Sequence, residues 1–80
     1  MGDQFNDYIG NKVYEYRVLA HLTQGSLADK IGVSKQTIFS IEKEQHSPTL
    51  RVAFRIANFF NVEITDIFSY KVDEEVDLKK

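Results

Sequence analysis

The segment from Leu22 to Glu44 constrains the fold of this chain more than any other stretch of its sequence. It contains two apolar repeats at helical spacing, which are separated at Gly32. Gly32 is expected to end the first helix, because only glycine reaches the left-handed backbone conformation at low cost. Thr23 and Ser34 precede the two repeats, where a hydroxyl oxygen accepts a hydrogen bond from a free amide of the first helical turn. The segment therefore predicts two short helices joined by a tight turn.

The apolar residues of this segment recur at spacings of three and four, which places them on one face of each helix. The two faces that meet across the turn consist of Leu27, Ala28 and Ile31, and of Val33, Ile38 and Ile41. Two helices that bury such faces against each other at a steep angle form a helix-turn-helix, a unit typical of DNA-binding proteins.

The second helix of the pair exposes a polar face if Ile38 and Ile41 point inward. The residues of that face are Lys35, Gln36, Phe39, Ser40 and Lys43. An amide binds adenine through two hydrogen bonds, a lysine reaches guanine, and an apolar group contacts the thymine methyl. An ordinary solvated helix face is the alternative, but the match of the whole turn favours base recognition.

A longer series of residues resembles the phage-repressor family of helix-turn-helix domains, also called Cro/cI or XRE. The resemblance rests, in order, on Leu22–Gln24, Leu27–Ile38, Ile41–Glu42, Ser47–Leu50 and Ala57–Phe68. It extends over residues 11–68 and implies an all-α, five-helix, lambda-repressor-like fold with short mobile tails. It also implies sequence-specific binding in the major groove of double-stranded DNA.

The resemblance assigns roles to individual residues. In related repressors, the positions of Arg17 and Glu42 hold a buried ion pair. A glutamine at the position of Gln24 contacts a phosphate and braces the start of the recognition helix. Combined with the polar face, this predicts that DNA is contacted by Gln24, Lys35, Gln36, Thr37, Phe39, Ser40 and Lys43. Base edges are expected to be contacted by Lys35, Gln36, Phe39 and Ser40. The DNA backbone is expected to be held by Gln24, Thr37 and Lys43.

The sequence departs from the family pattern on both sides of the recognition helix. Gly25 and Ser26 replace the glutamates that commonly complete a capping box, which weakens the start of the helix that precedes the recognition helix. The usual Asn-Gly and basic residue are replaced by Lys43 to His46, and Glu44 opposes a phosphate if it faces DNA. We therefore expect weaker loop contacts with DNA and an unchanged fold.

The remaining predicted helices flank this central pair. The first helix is expected from Asn11 as N-cap to His21, with a core face of Val13, Tyr16, Arg17 and Ala20. The fourth begins with Ser47 as cap and Pro48 at its first position, runs to about Phe60, and has a core stripe of Leu50, Ala53, Ala57 and Phe60. The fifth runs from Ile64 to about Tyr70, with Asp66 in its first turn.

The predicted domain comprises residues 11–70. Residues 1–10 form an N-terminal arm, which is either a frayed end or a dimer-packing segment. Residues 71–80 form a charged tail. The last two helices carry more apolar residues than one small core requires, so Phe59, Ile64, Ile67 and Phe68 are either core or a twofold dimer interface. The homodimer is favoured, because palindromic operators are read by twofold dimers.

Composition excludes several classes of protein. The chain has no cysteine, and two histidines without paired carboxylates make a weak metal site. We find no nucleophile with a base and no phosphate-binding loop, so we expect no enzyme, no metal, no cofactor and no small-molecule ligand. No apolar run approaches the ~20 residues of a membrane span, and the polar N-terminus lacks signal-peptide features, which predicts a cytoplasmic protein without membrane association.

The formal net charge of −2 is unusual for a DNA-binding domain, since phosphate contacts supply much of the affinity. A local positive face is sufficient for specific binding. The favoured hypothesis is therefore a bacterial or phage-type transcriptional regulator that represses by blocking polymerase. The alternative is an antitoxin-like interaction module that binds another protein through its phenylalanine-rich surface or its acidic tail.

Overall fold

The computed structural model describes residues 6–72 of the chain. In chain order, the elements are β1 (Asp7–Asn11), α1 (Val13–Leu19), α2 (Gln24–Ile31), α3 (Lys35–Glu42), α4 (Leu50–Phe59), α5 (Ile64–Ile67) and β2 (Phe68–Val72). The first half of the predicted arm and the acidic tail from residue 73 onward lie outside the described residues. Within residues 6–72, no helix has the length and apolarity needed to cross a membrane.

The predicted turn signals around α2 and α3 are confirmed. Thr23 Oγ1 accepts a hydrogen bond from the Ser26 amide at 3.0 Å, which caps α2. Ser34 Oγ accepts one from the Thr37 amide at 3.1 Å, which caps α3. Gly32 has a φ of +77°, the left-handed conformation that ends α2. Each hydroxyl satisfies an amide that has no partner within its own helix.

An apolar core lies between the helices and the strands. Its buried members are Val13, Leu27, Ala28, Ile31, Ile38, Ile41, Ala53, Ile56, Ala57, Ile67 and Phe68. Two predicted core positions are wrong, because Ala20 is exposed and Leu50 is 70% exposed. On α4 the buried face is centred between Ala53 and Ile56, which leaves Leu50 at its edge.

The fourth helix begins later than the sequence pattern predicts. Its N-cap is Thr49, whose Oγ1 accepts a hydrogen bond from the Val52 amide at 3.2 Å. Ser47 and Pro48 therefore precede the helix, and the prediction of Ser47 as cap is wrong. Ser47 and Thr49 each offer a hydroxyl. Thr49 immediately precedes the apolar repeat, so its hydroxyl is the one that reaches an amide of the first turn.

The prediction of an all-α domain is wrong, because β1 and β2 pair as a two-stranded antiparallel sheet. The register pairs Asp7 with Val72 and Asn11 with Phe68. Residues 7–10, predicted within the arm, and residues 71–72, predicted within the tail, thus lie in strands. The fifth helix is correspondingly shorter than predicted, since the backbone of Phe68 is extended at φ −120° and ψ 141°. Its start is fixed by Asp66, whose Oδ2 accepts a hydrogen bond from the Glu63 amide at 2.9 Å.

Asn11 joins the sheet to α1 and α3. Its Oδ1 accepts a hydrogen bond from the Val13 amide at 3.0 Å, but Lys12 occupies the N-cap position, so the prediction of Asn11 as N-cap is wrong by one residue. Its Nδ2 donates to the Ile41 carbonyl at 2.8 Å. The adjacent Lys12 amide donates to the Ile67 carbonyl at 2.8 Å. These bonds fix the last turn of α3 relative to both ends of the described chain.

Candidate nucleic-acid interface

The first turn of α3 presents two polar side chains to solvent. Lys35 and Gln36 are exposed, whereas Ile38 and Ile41 on the opposite side are fully buried. Thr37 is half-buried, and its hydroxyl lies 2.9 Å from Ser34 Oγ in a hydrogen bond that either oxygen can donate. The helix is thus anchored by its apolar face and by its cap, while a lysine and an amide project from the free side.

Ser40 does not share this exposed face, contrary to the prediction. Its residue surface is 6% exposed. The Gln45 amide donates to the Ser40 carbonyl at 3.0 Å, which closes the last turn of α3. Phe39 is half-buried and Lys43 is exposed. Helical periodicity alone does not give the width of the buried face, which here includes Ser40 beside Ile41.

Glu44 occupies the position where the family pattern has a glycine, and it retains the backbone conformation of a glycine cap. Its φ is +58°, in the left-handed region that ordinary residues adopt at a cost. The Glu44 carboxylate is directed toward β1, where its Oε2 accepts a hydrogen bond from the Asn11 amide at 3.4 Å. The departure from the family pattern therefore leaves the path of the loop unchanged.

The ion pair predicted between Arg17 and Glu42 is present, and it uses two parallel hydrogen bonds. Arg17 Nε donates to Glu42 Oε2 at 2.6 Å, and Nη2 donates to Oε1 at 3.1 Å. The two side chains are only 12% and 7% exposed. The hydrogen bond to Glu42 raises the pKa of Arg17 above its ordinary value. A third bond, from Nη1 to the Leu22 carbonyl at 2.8 Å, extends this connection to the link between α1 and α2.

Gln24 is hydrogen-bonded to the last residue of α3, whereas the resemblance implied that it braces the start of that helix. Its Nε2 donates to Glu42 Oε1 at 3.1 Å. Gln24 is the first residue of α2 and Glu42 is the last of α3, so this bond joins the first residue of one helix to the last residue of the other. The glutamine therefore braces the far end of the recognition helix.

A surface cleft of about 340 Å³ lies next to this network. It is lined by Tyr14, Arg17, Gln24, Phe39, Glu42 and Lys43. The Arg17 guanidinium carbon is 5.3 Å from the centre of the Tyr14 ring, and the Lys43 ammonium is 5.7 Å from the centre of the Phe39 ring. Both distances are typical of cation–π contacts. The cleft thus brings together three predicted DNA-contacting residues, Gln24, Phe39 and Lys43.

Tyr14 is a lining residue that sequence reasoning missed. It is 55% exposed and precedes Arg17 by three positions on α1. Residues separated by three positions are neighbours on a helix surface, so an aromatic residue three positions before the ion-pair arginine was the available signal.

Two of the four residues assigned to a dimer interface are core residues of the monomer. Ile67 and Phe68 are 1% and 8% exposed. Their burial follows from β2, which continues directly from α5 and closes the core against β1. Phe59, at 38% exposed, and the half-buried Ile64 still reach the surface. Within residues 6–72, no three acidic or histidine side chains are grouped closely enough to hold a metal ion.

A family model described as helix-turn-helix matches residues 13–67, from the start of α1 to the end of α5. This chain belongs to the XRE-type helix-turn-helix family of transcriptional regulators. The match includes the Arg17–Glu42 pair, the turn at Gly32 and the whole of α3. It omits both strands of the sheet, which is the part of this XRE-type domain that the family resemblance did not predict.

Relatives of this XRE-type domain occur in archaea and bacteria. An uncharacterised HTH-type transcriptional regulator of Methanocaldococcus jannaschii is 56% identical over 64 residues, which cover 80% of this chain and 97% of that protein. An uncharacterised HTH-type regulator of Archaeoglobus fulgidus is 42% identical over 65 residues, covering 81% and 91%. The cryptic phage CTXphi transcriptional repressor RstR of Vibrio cholerae is 33% identical over 72 residues, covering 86% and 65%.

A solved structure supports the fold independently of the sequence. The transcriptional regulator VanUg superposes with a TM-score of 0.71 at 20% identity, covering 91% of this chain and 99% of that one. At this identity the likeness concerns the arrangement of the chain and not the choice of side chains on its surface.

Proposed function

We propose that this protein is a sequence-specific transcriptional repressor that binds a palindromic operator in double-stranded DNA as a homodimer. The exposed pair Lys35 and Gln36 in the first turn of α3 is the observation that carries this proposal. Both project from a helix that is capped at Ser34 and held at Glu42 by Arg17 and Gln24. A reading helix must be held in this way, since misplaced donors cannot match the edges of base pairs.

The side chains divide between base and backbone contacts. Gln36 is suited to adenine and Lys35 to guanine, and the Phe39 ring offers an apolar surface to a thymine methyl. Gln24, Thr37 and Lys43 hold the phosphate backbone. Ser40 has no place in this arrangement because it is buried. The overall charge of −2 does not prevent binding, because Lys35 and Lys43 place a positive charge at each end of α3 while Arg17 neutralises Glu42.

A homodimer supplies affinity that one small module lacks, and it positions two α3 helices about 34 Å apart in successive major grooves. Phe59 and Ile64 are the members of the predicted interface that reach the surface. Repression follows if the bound dimer blocks polymerase, and RstR, a relative, is named as a transcriptional repressor. This function requires a cytoplasmic location and no catalytic activity, cofactor or metal.

The test is a selection from random duplex DNA at low salt, followed by sequencing of the bound fraction. A dimeric reader yields a palindrome with half-sites about one helical turn apart. Enrichment of a single site without a paired half-site would overturn binding as a dimer, while sequence-specific binding would stand. No enrichment would overturn the proposal in favour of a protein-interaction module, for which Leu50 and Phe54, one turn apart on α4 and 70% and 53% exposed, provide an apolar surface.

The selected duplex then tests the role of Gln36. The variant Gln36→Ala is expected to lose about 1–3 kcal/mol of specific affinity and to tolerate any base pair at one position of each half-site. Gln45→Ala is the matched control, since Gln45 is an exposed glutamine in the loop after α3. Equal losses by Gln36→Ala on the selected and a scrambled duplex would contradict base reading.

A further inference from the structure

Tyr14 lies on the wall of the cleft beside α3, although no contact with DNA is assigned to it above. It is 55% exposed, and its ring is held against the Arg17 guanidinium at 5.3 Å. Arg17 is itself fixed by two hydrogen bonds to Glu42. An exposed aromatic side chain that is anchored in this way has a defined position. Because the hydroxyl is bonded to the ring, the position of the hydroxyl oxygen is defined as well.

The charges of the cleft suit a group that carries one negative charge. Of the six lining side chains within the described residues, Arg17 and Glu42 neutralise each other. Lys43 supplies the remaining positive charge, and Glu44 is directed away toward β1. A phosphodiester in DNA carries a single negative charge, which matches one unpaired ammonium group.

The cleft also brings together hydrogen-bond donors from α1, α2 and the end of α3. Lys43 carries three N–H groups and Tyr14 one O–H. The single amide nitrogen of Gln24 carries two N–H groups, and its hydrogen bond to Glu42 uses only one of them. Phosphate oxygens accept several such bonds at once, whereas a base edge requires a planar, paired arrangement.

The position of the cleft along α3 also favours the backbone over the bases. Lys35 and Lys43 are eight residues apart, which corresponds to about 12 Å along a helix. The major groove is about 12 Å wide. If α3 runs across the groove with its first turn on the base edges, its far end therefore lies near the edge of the groove, where the phosphates are.

We propose that Tyr14 is a DNA-contacting residue, whose hydroxyl joins Gln24 and Lys43 in binding one phosphate of the DNA backbone. This inference rests on the DNA-binding function proposed above. Binding of this one phosphate then fixes the position of α1, α2 and α3 on the duplex. Tyr14 contributes to affinity on every sequence and adds nothing to base preference.

The variant Tyr14→Phe tests this, because it retains the ring against Arg17 and removes only the hydroxyl. It is expected to weaken binding about ten- to a hundredfold, the range of one hydrogen bond to a charged group, on both the selected and a scrambled duplex. Its salt dependence is expected to match that of the wild-type protein, because no charge is lost. Lys43→Ala is expected to weaken binding to both duplexes and to lower the slope of log K against log salt by about 0.9.

Tyr8→Phe is the matched control, since Tyr8 is a comparably exposed tyrosine on β1. A duplex series with one methylphosphonate at a time supplies an independent test. At one position per half-site, the neutral linkage is expected to make the affinities of the wild-type and Tyr14→Phe proteins equal. If the midpoints of thermal unfolding are unchanged in Tyr14→Phe and Tyr8→Phe, a loss of affinity reflects a lost contact with DNA and not a loss of folding.

The outcomes distinguish this inference from the function on which it rests. If the wild-type protein binds a selected duplex and Tyr14→Phe binds it equally well, the contact by Tyr14 is overturned and the function stands. A loss confined to the selected duplex would overturn the phosphate contact in favour of a base contact. If the wild-type protein binds no duplex, both the function and the inference fail.

Discussion

Replacing Arg17 by leucine is expected to destabilise the domain strongly, because Glu42 then loses its cation. The two side chains are 12% and 7% exposed, so each has given up most of its contact with water. Breaking a buried ion pair costs roughly 3–5 kcal/mol, whereas an exposed pair contributes about 0–1 kcal/mol. Glu42 keeps its hydrogen bond from Gln24 and retains some hydration. We therefore expect a loss of about 2–3 kcal/mol in the free energy of unfolding.

Urea unfolding followed by circular dichroism measures this loss directly, and thermal unfolding provides a second measure. For a domain of this size, each kcal/mol corresponds to about 4–8 °C, so the midpoint is expected to fall by about 8–24 °C. The loss does not change across the neutral pH range. Since the hydrogen bond to Glu42 raises the pKa of Arg17, the stabilisation by the charged guanidinium is present below the ordinary pKa and is lost only as pH rises through the raised one.

The double variant with Arg17→Leu and Glu42→Leu separates charge from packing. It is expected to recover more than half of the lost stability, since replacing both members of a buried pair by apolar groups is often neutral. Arg51→Leu, at an exposed position on α4, is the control and is expected to stay within about 0.5 kcal/mol of the wild-type protein. A loss below about 1 kcal/mol for the single variant would refute the reasoning from burial. Equal losses for the single and double variants would assign the effect to packing.

Two local features of the backbone give further predictions, both measured by urea unfolding. Gly32→Ala places a side chain at a φ of +77° and is expected to cost about 1–2 kcal/mol. The added Cβ would lie at an ordinary 3.5 Å from Arg55 Nη1, so a much larger loss would contradict backbone strain as the cause. Thr49→Ala removes the cap from the Val52 amide and is expected to cost about 1 kcal/mol. Ser47→Ala is expected to change stability by less than about 0.5 kcal/mol, and the reverse order would identify Ser47 as the cap.

The central part of the fold was predictable because its determinants are local. The caps at Thr23 and Ser34 and the left-handed Gly32 are each decided by contacts within a few residues. The apolar repeat likewise identified Leu27 and Ile38 as core residues. The Arg17–Glu42 pair spans 25 residues and has no local signal, so it was predictable only from the resemblance to the repressor family.

The strands were not predictable by the same means, since each is formed only by pairing with a segment at the other end of the domain. Asp7–Asn11 and Phe68–Val72 are five residues each, too short for their periodicity to compete with the helical pattern that precedes Phe68. The burial of Ser40 escaped prediction for a related reason, because it depends on how α3 packs against the rest of the domain and not on the helical period alone. Tyr14 is exposed on α1, and only the packing of α1 beside α3 associates it with the cleft.

The pairing of β1 with β2 determines when this domain can complete its folding during synthesis. Asp7 and Val72 are cross-strand partners, so the first strand to leave the ribosome has no partner until the last described residues have followed. The helices between them can form earlier, but Ile67 and Phe68 enter the core only at the end of that interval. Contacts of such long sequence separation slow folding, because the intervening chain must be ordered first. Asn11, at the end of β1, donates to the Ile41 carbonyl, so the sheet that forms last also carries one of the contacts that hold the end of α3.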